Sequence, residues 1–98
     1  MKIIYHNDGG HGWYAVKRKK LETMGILNNV SGFSYERGET VYMEEDCDAS
    51  LFFNALNETE KQQIIVINSY QDRSPIRGYS RFAKRNLVPQ TSLEVELN

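Results

Sequence analysis

Ninety-eight residues, 40% hydrophobic and 26% charged, suffice for one hydrophobic core and are too few for two, since single cores commonly form at about 100 to 150 residues. Twelve Lys and Arg against thirteen Asp and Glu leave a formal charge of -1, so bulk electrostatics favours neither nucleic acid nor a membrane surface. The 11% aromatic content excludes a wholly disordered chain, and no apolar run approaches the roughly 18 residues of a membrane-spanning helix.

The first strand is predicted at Lys2 to Tyr5, followed by the loop Asn7-Asp8-Gly9-Gly10, whose residues tolerate positive φ. Gly12 to Val16 makes a second strand, with Trp13 and Ala15 on one face and Tyr14 and Val16 on the other, and the two form a hairpin. Lys17 to Met24 suits a short helix: Leu21 and Met24 lie three apart, Gly25 can take the left-handed C′ position, and Ile26 can close back as its apolar partner.

Ser31 to Tyr35 and Thr40 to Met43 flank Glu36-Arg37-Gly38-Glu39, the signature of a second hairpin. Beyond the acidic run Glu44 to Asp48, the recurrence of Leu51, Phe52, Ala55 and Leu56 marks an amphipathic helix, with Asp46 or Asp48 as N-cap and the carboxylates facing the positive end of its dipole. Ile64-Ile65-Val66-Ile67 is a run of β-branched residues, the pattern of a central strand covered on both faces. About twenty residues separate it from Thr40 to Met43, enough for a crossover into parallel pairing with that strand.

The predicted fold is therefore an α+β two-layer sandwich, a mixed sheet with two helices on one face, in the order β-β-α-β-β-α-β. Pro75 and Gly78 make Gln71 to Gly78 an ordered loop, and Ser80 to Asn86 could form one or two helical turns. One domain covers 1–98, and within 87–98 the alternation of Leu93, Val95 and Leu97 with Glu94 and Glu96 fits an edge strand or a mobile tail.

Cys47, the only cysteine, excludes an intrachain disulfide, a four-cysteine zinc site and a Cys-x-x-Cys redox centre. Met1 to Tyr5 lacks the apolar stretch of roughly 7 to 15 residues that a signal peptide needs, so a reducing intracellular setting is expected. His6, Asp8 and His11 are of types that ligate zinc-like ions, but their spacing imposes no geometry, and ordinary loop polar residues are the preferred reading. No metal site and no cofactor are predicted.

Cys47 could serve as a nucleophile with His6 or His11 as base, but its carboxylate neighbours oppose thiolate formation, and a semi-buried packing cysteine is expected instead. Asp8-Gly9-Gly10-His11-Gly12 lacks the helix that phosphate-binding glycine loops open onto, so it is read as a hairpin connection. No catalytic residues are assigned. Lys17, Arg18, Lys19 and Lys20 place four cations at the unfavourable end of a helix dipole, which makes them a candidate anion site, against the alternative of a solvated basic turn.

Arg73, Arg77, Arg81 and Arg85 recur every four residues, with Lys84 alongside and Tyr79 and Phe82 interleaved. Such a surface suits a protein interface or a nucleic-acid backbone. It could also be occupied internally, by pairing with the run Glu44 to Asp48.

Gly10-His11-Gly12-Trp13, Ser34-Tyr35-Glu36-Arg37-Gly38 leading through Thr40-Val41-Tyr42-Met43 to Glu44-Glu45-Asp46-Cys47-Asp48, and Arg73-Ser74-Pro75-Ile76-Arg77-Gly78-Tyr79 resemble a family of small uncharacterised bacteriophage and mobile-element proteins. The likeness spans about Gly10 to Phe82, and relatives tend to carry Gln in place of Glu36 and Leu in place of Met43. No activity comes with the family. The resemblance implies an accessory protein acting in the cytoplasm of a bacterial host.

The expected function is that of a small non-catalytic accessory protein, binding a host or phage macromolecule through Arg73, Arg77, Tyr79, Arg81, Phe82 and Arg85, with a protein as the partner and no membrane. One alternative is a nucleic-acid-binding protein using Lys17 to Lys20 and Arg73 to Arg85; another is a small metal- or thiol-dependent enzyme. Convergence of His11, Trp13 and Cys47 in one concavity would favour the enzyme, and a flat basic and aromatic surface would favour binding.

Overall fold

The computed structural model describes residues 1–83. The expectations for Lys84, Arg85 and 87–98 lie outside the described residues. The first hairpin forms as expected from β1 (Lys2–Asn7) and β2 (Gly12–Lys17), with Tyr5 opposite Tyr14 and Asn7 opposite Gly12. Helix α1 (Arg18–Met24) ends on Gly25 at φ 77°, whose N–H donates to the Glu22 carbonyl, while the Ile26 N–H donates to Leu21. That left-handed terminus is the one that the Gly25-Ile26 pair predicts.

The second hairpin, β3 (Tyr35–Arg37) and β4 (Thr40–Glu44), is shifted along the chain relative to the expectation. Glu36 and Arg37 belong to the strand, and Ser31 to Ser34 form a turn. The displacement has a polar cause. Asp48 accepts from the N–H and hydroxyl of Ser31 and from the hydroxyl of Ser34, which holds those serines out of the ladder.

Asp48 occupies the N-cap position of α2 (Ala49–Asn54), but its carboxylate makes no capping bond, and the first turn of the helix holds no acidic residue. The acidic run thus serves other parts of the fold. A third helix, α3 (Glu58–Gln63), was not expected; a capping box between Asn57 and Glu60 starts it.

Strand β5 (Ile65–Tyr70) corrects the expectation of a central strand. It pairs in parallel with β1, at the edge of a six-stranded sheet ordered β5-β1-β2-β4-β3-β6, and Ile65, Val66 and Ile67 are exposed. The reason is topological. β4 already lies between β2 and β3, so a strand returning after the helices finds its free edge on β1. The last strand among the described residues, β6 (Ser80–Arg81), pairs with β3, where a helical turn was expected. Between β5 and β6, Pro75–Gly78 form a single 3-10 turn capped by the Ser74 hydroxyl.

The result is an α+β two-layer sandwich on a mixed sheet. On one sheet face Ile3, Val16, Val41 and Met43 meet Leu21, Ile26, Val30, Phe52 and Leu56 in the core. The strand registers place Trp13, Tyr35, Tyr42, His6 and Arg81 on the opposite face. Among the described residues, no helix is long and apolar enough to cross a membrane.

The edge position of β5 has a measurable consequence. Phe52→Ala should destabilise the chain by about 3 to 5 kcal/mol. Ile67→Ala, at a residue 42% exposed, should cost less than about 1 kcal/mol. Urea denaturation of both variants checks this; a cost of several kcal/mol at Ile67 would return the strand to the interior.

Candidate binding site

The loop after β1 is shaped by Asp8, whose Oδ1 accepts the backbone N–H groups of Gly10 and His11, each at 3.1 Å. Its carboxylate also receives a two-point contact from Arg77, Nε to Oδ2 at 2.5 Å and Nη2 to Oδ1 at 2.9 Å. The Arg77 guanidinium holds the Asp8 carboxyl well below the usual carboxylate range, and the N–H groups of His11 and Gly10 act in the same sense. The bond brings the 3-10 turn over the end of β2, where the same guanidinium lies 5.3 Å from the centre of the Trp13 ring.

At Gly12, which follows this loop, any side chain would displace the Tyr5 ring. A Cβ there would stand 2.0 Å from the Tyr5 hydroxyl, which donates to Glu45. The Glu45 N–H donates to the Gly12 carbonyl, and Trp13 lies opposite Glu44, so the register of β2 against β4 delivers His11 to the acidic run. His11 Nδ1 stands 3.4 Å from Glu44 Oε2, while Glu44 Oε1 accepts the N–H groups of Asp46 and Cys47, both at 2.7 Å.

These segments enclose a cavity of about 300 Å³ with Trp13, Tyr35, Phe33, Arg77 and Arg81 on its lining and His11, Glu44, Asp46 and Cys47 beside them. Trp13 is 2% exposed, Phe33 61%. The Arg81 guanidinium lies 5.1 Å from the Tyr35 ring and donates to the Gly32 carbonyl, and Trp13 meets Tyr35 edge-on at 6.0 Å. A second row on the same face runs from His6 to Tyr42 to Tyr79 and ends at Arg37, 5.0 Å from the Tyr79 ring.

The expected site residues divide accordingly. Arg77 and Arg81 line the cavity, Tyr79 is half-buried in the second row, and Arg73 is exposed. Phe82 is buried in the core beneath Arg18, which removes it from any contact surface. Internal pairing does occur, but Arg77 takes Asp8 instead of the Glu44 to Asp48 run.

The four consecutive cations do not act together. Arg18 is buried against Glu36, Lys20 pairs with Glu60 at 3.3 Å, and Lys17 and Lys19 are exposed. Lys17 ends β2, and successive residues of α1 point about 100° apart, which separates Arg18, Lys19 and Lys20. Lys17 and Lys20 join Lys2, His6 and Tyr42 around a separate cavity of about 340 Å³.

His6, Asp8 and His11 do not converge. His6 meets Tyr42 edge-on, where burial lowers its pKa, and Asp8 holds Arg77. The structure instead gathers His11, Glu44, Glu45 and Asp46, with ligand atoms within 4.8 Å of one another. Those residues could hold a cation, but Glu44 is already bonded to two backbone N–H groups and Glu45 to Tyr5.

His11, Trp13 and Cys47 do meet in one concavity, the arrangement that favours an enzyme. The thiol argues the other way. Cys47 is exposed, not semi-buried, and desolvation, followed by the Glu44 carboxylate and the charges of Asp48 and Asp46, pushes its pKa up. His11 faces Glu44.

Comparison with protein-family models, curated proteins and solved structures returned no match.

The Asp8 contact sets an acid limb on stability. A carboxyl whose pKa is depressed on folding contributes fully above its unfolded value near 4 and loses that contribution as pH falls below it. Asp8→Asn should melt at a lower temperature than the parent at pH 7, and the gap should narrow as pH falls from about 4. Melting curves recorded across that range test this; a gap independent of pH would show that the charge of Asp8 is not what matters.

Proposed function

We propose that the chain is a small non-catalytic accessory module, of phage or mobile-element type and acting in a bacterial cytoplasm, that binds a protein partner at the Trp13 cavity. The observation that carries this reading is the pair of arginine-on-ring stacks, Arg77 on Trp13 and Arg81 on Tyr35, lining one concavity beside the exposed ring of Phe33. Arginine and large aromatics dominate the energetics of protein interfaces, most of all in concave positions. Stacking also orders the arginines before contact, which reduces the entropy lost when a partner docks.

The raised thiol of Cys47, and the Glu44 carboxylate in front of His11, support binding over turnover. The segments that carry the family resemblance, from Gly10 to Trp13, Ser34 to Asp48 and Arg73 to Tyr79, supply most of this cavity's lining. A second reading, nucleic-acid binding, is favoured by the other cavity on the open face, where Lys2, Lys17 and Lys20 surround His6 and Tyr42 without a carboxylate in the lining.

Capture from a bacterial lysate with nuclease present, using the parent, Phe33→Ala with Arg81→Ala, and Lys2→Gln with Lys17→Gln, separates the two. On the protein-binding reading, capture survives nuclease, falls at least tenfold in the Phe33 and Arg81 variant, and is unchanged in the lysine variant. Loss of capture on nuclease treatment, together with affinity for single strands falling with a log-log salt slope of about -0.7 per phosphate contacted, would replace it with nucleic-acid binding.

A further inference from the structure

We infer that the Trp13 cavity receives a carboxylate side chain from an acidic segment of the partner, an inference that rests on reading this cavity as a protein-binding site. Trp13 is the only tryptophan in the chain, and its indole Nε1 is the only buried side-chain polar atom left without a hydrogen-bond partner among the described residues. A buried N–H without an acceptor is unfavourable, and such groups are rare in folded proteins. It sits in a residue that lines a concavity, so an acceptor brought by a ligand would relieve it.

The neighbouring donors match the same chemistry. Arg77 directs Nε and Nη2 at Asp8, which leaves Nη1 of a guanidinium already held over the indole. Arg81 gives one Nη1 bond to the Gly32 carbonyl and keeps Nε and Nη2. A carboxylate has two oxygens and about four acceptor sites, enough for the indole N–H and a guanidinium together.

The acidic residues on the lining compete less than their number suggests. Glu44 Oε1 is taken by two backbone N–H groups, His11 Nδ1 stands 3.4 Å from Oε2, and Asp46 is exposed. The exposed Phe33 ring offers apolar contact to a residue flanking the incoming carboxylate, which favours a peptide over a small free acid.

The single indole makes the test direct. The full chain, labelled with 15N, is titrated with a blocked hexapeptide holding glutamate between leucines, and with its glutamine and lysine counterparts. The inference expects the Trp13 Nε1–H resonance to move downfield and saturate with the glutamate peptide, at an affinity at least tenfold above that of the glutamine peptide. Arg81→Ala, at an exposed side chain and checked for an unchanged melting temperature, should weaken the glutamate peptide at least tenfold.

An unmoved indole resonance with the glutamate peptide, or equal or tighter binding of the lysine peptide, would overturn the inference. Its failure is separable from that of the protein-binding reading. Partner capture that depends on Phe33 but resists competition by the glutamate peptide overturns the carboxylate while leaving the interface. A saturating indole shift in a chain that captures no protein supports the carboxylate site and removes the partner.

Discussion

The arrangement of the candidate site depends on one carboxylate. Asp8 collects five donors: the N–H groups of Gly10, His11 and Ser74, and two from Arg77. The first two fold the hairpin loop, and the last three tether the 3-10 turn to it across most of the described chain. Exposed ion pairs contribute little to stability as a rule. This one differs in that the Asp8 side chain is 4% exposed and the contact is a two-point fork, so its main effect is positional. With the turn in place, Arg77 covers Trp13, and a tryptophan on the face of the sheet away from the helices becomes buried.

Around that clamp the carboxylates are largely engaged within the fold. Glu36 meets the buried Arg18 and accepts the Ala83 N–H, Glu45 accepts from Tyr5, and Asp48 accepts from Ser31 and Ser34. Glu44 closes the turn after β4. A formal charge of -1 for the whole chain therefore says little about the local field at the open face. There, guanidiniums lie over rings with donors to spare, and much of the compensating negative charge faces inward.

The parts of this architecture legible in the sequence are those fixed by near neighbours. The first hairpin and the Gly25 terminus of α1 follow from residue spacing and turn chemistry, and the structure has them; the expected stripe of α2 is cut short, because the helix stops at Asn54 and leaves Ala55 exposed and Leu56 beyond its end. The Asn57 and Glu60 box was equally local, and it was the available signal for α3. Strand order was not legible, because four β-branched residues look alike in a central strand and at an edge; which edge remains free depends on the pairing of every other strand. The site was legible only in fragments. His11, Trp13, Cys47, Arg77 and Arg81 stood out individually, but their meeting requires the β2 to β4 register and the Asp8 to Arg77 contact, neither of which spacing encodes. Phe33 carried no signal, since its exposure at the rim follows from Asp48 holding Ser31 and Ser34.

Convergence of reactive residue types does not by itself make a catalytic centre. A thiol nucleophile needs a base within reach and surroundings that favour its anion. At Cys47 desolvation and then the Glu44 carboxylate raise the thiol pKa, and the imidazole of His11 stands beside that same carboxylate. The field on this side of the cavity thus disfavours a second negative charge. On the other side Arg77 and Arg81 present donors that an incoming acceptor could satisfy, next to the buried and unpartnered Trp13 N–H. A concavity polarised in this way is better suited to orienting an incoming polar group than to activating its own, and that asymmetry is the physical basis of the proposal that the chain acts by binding.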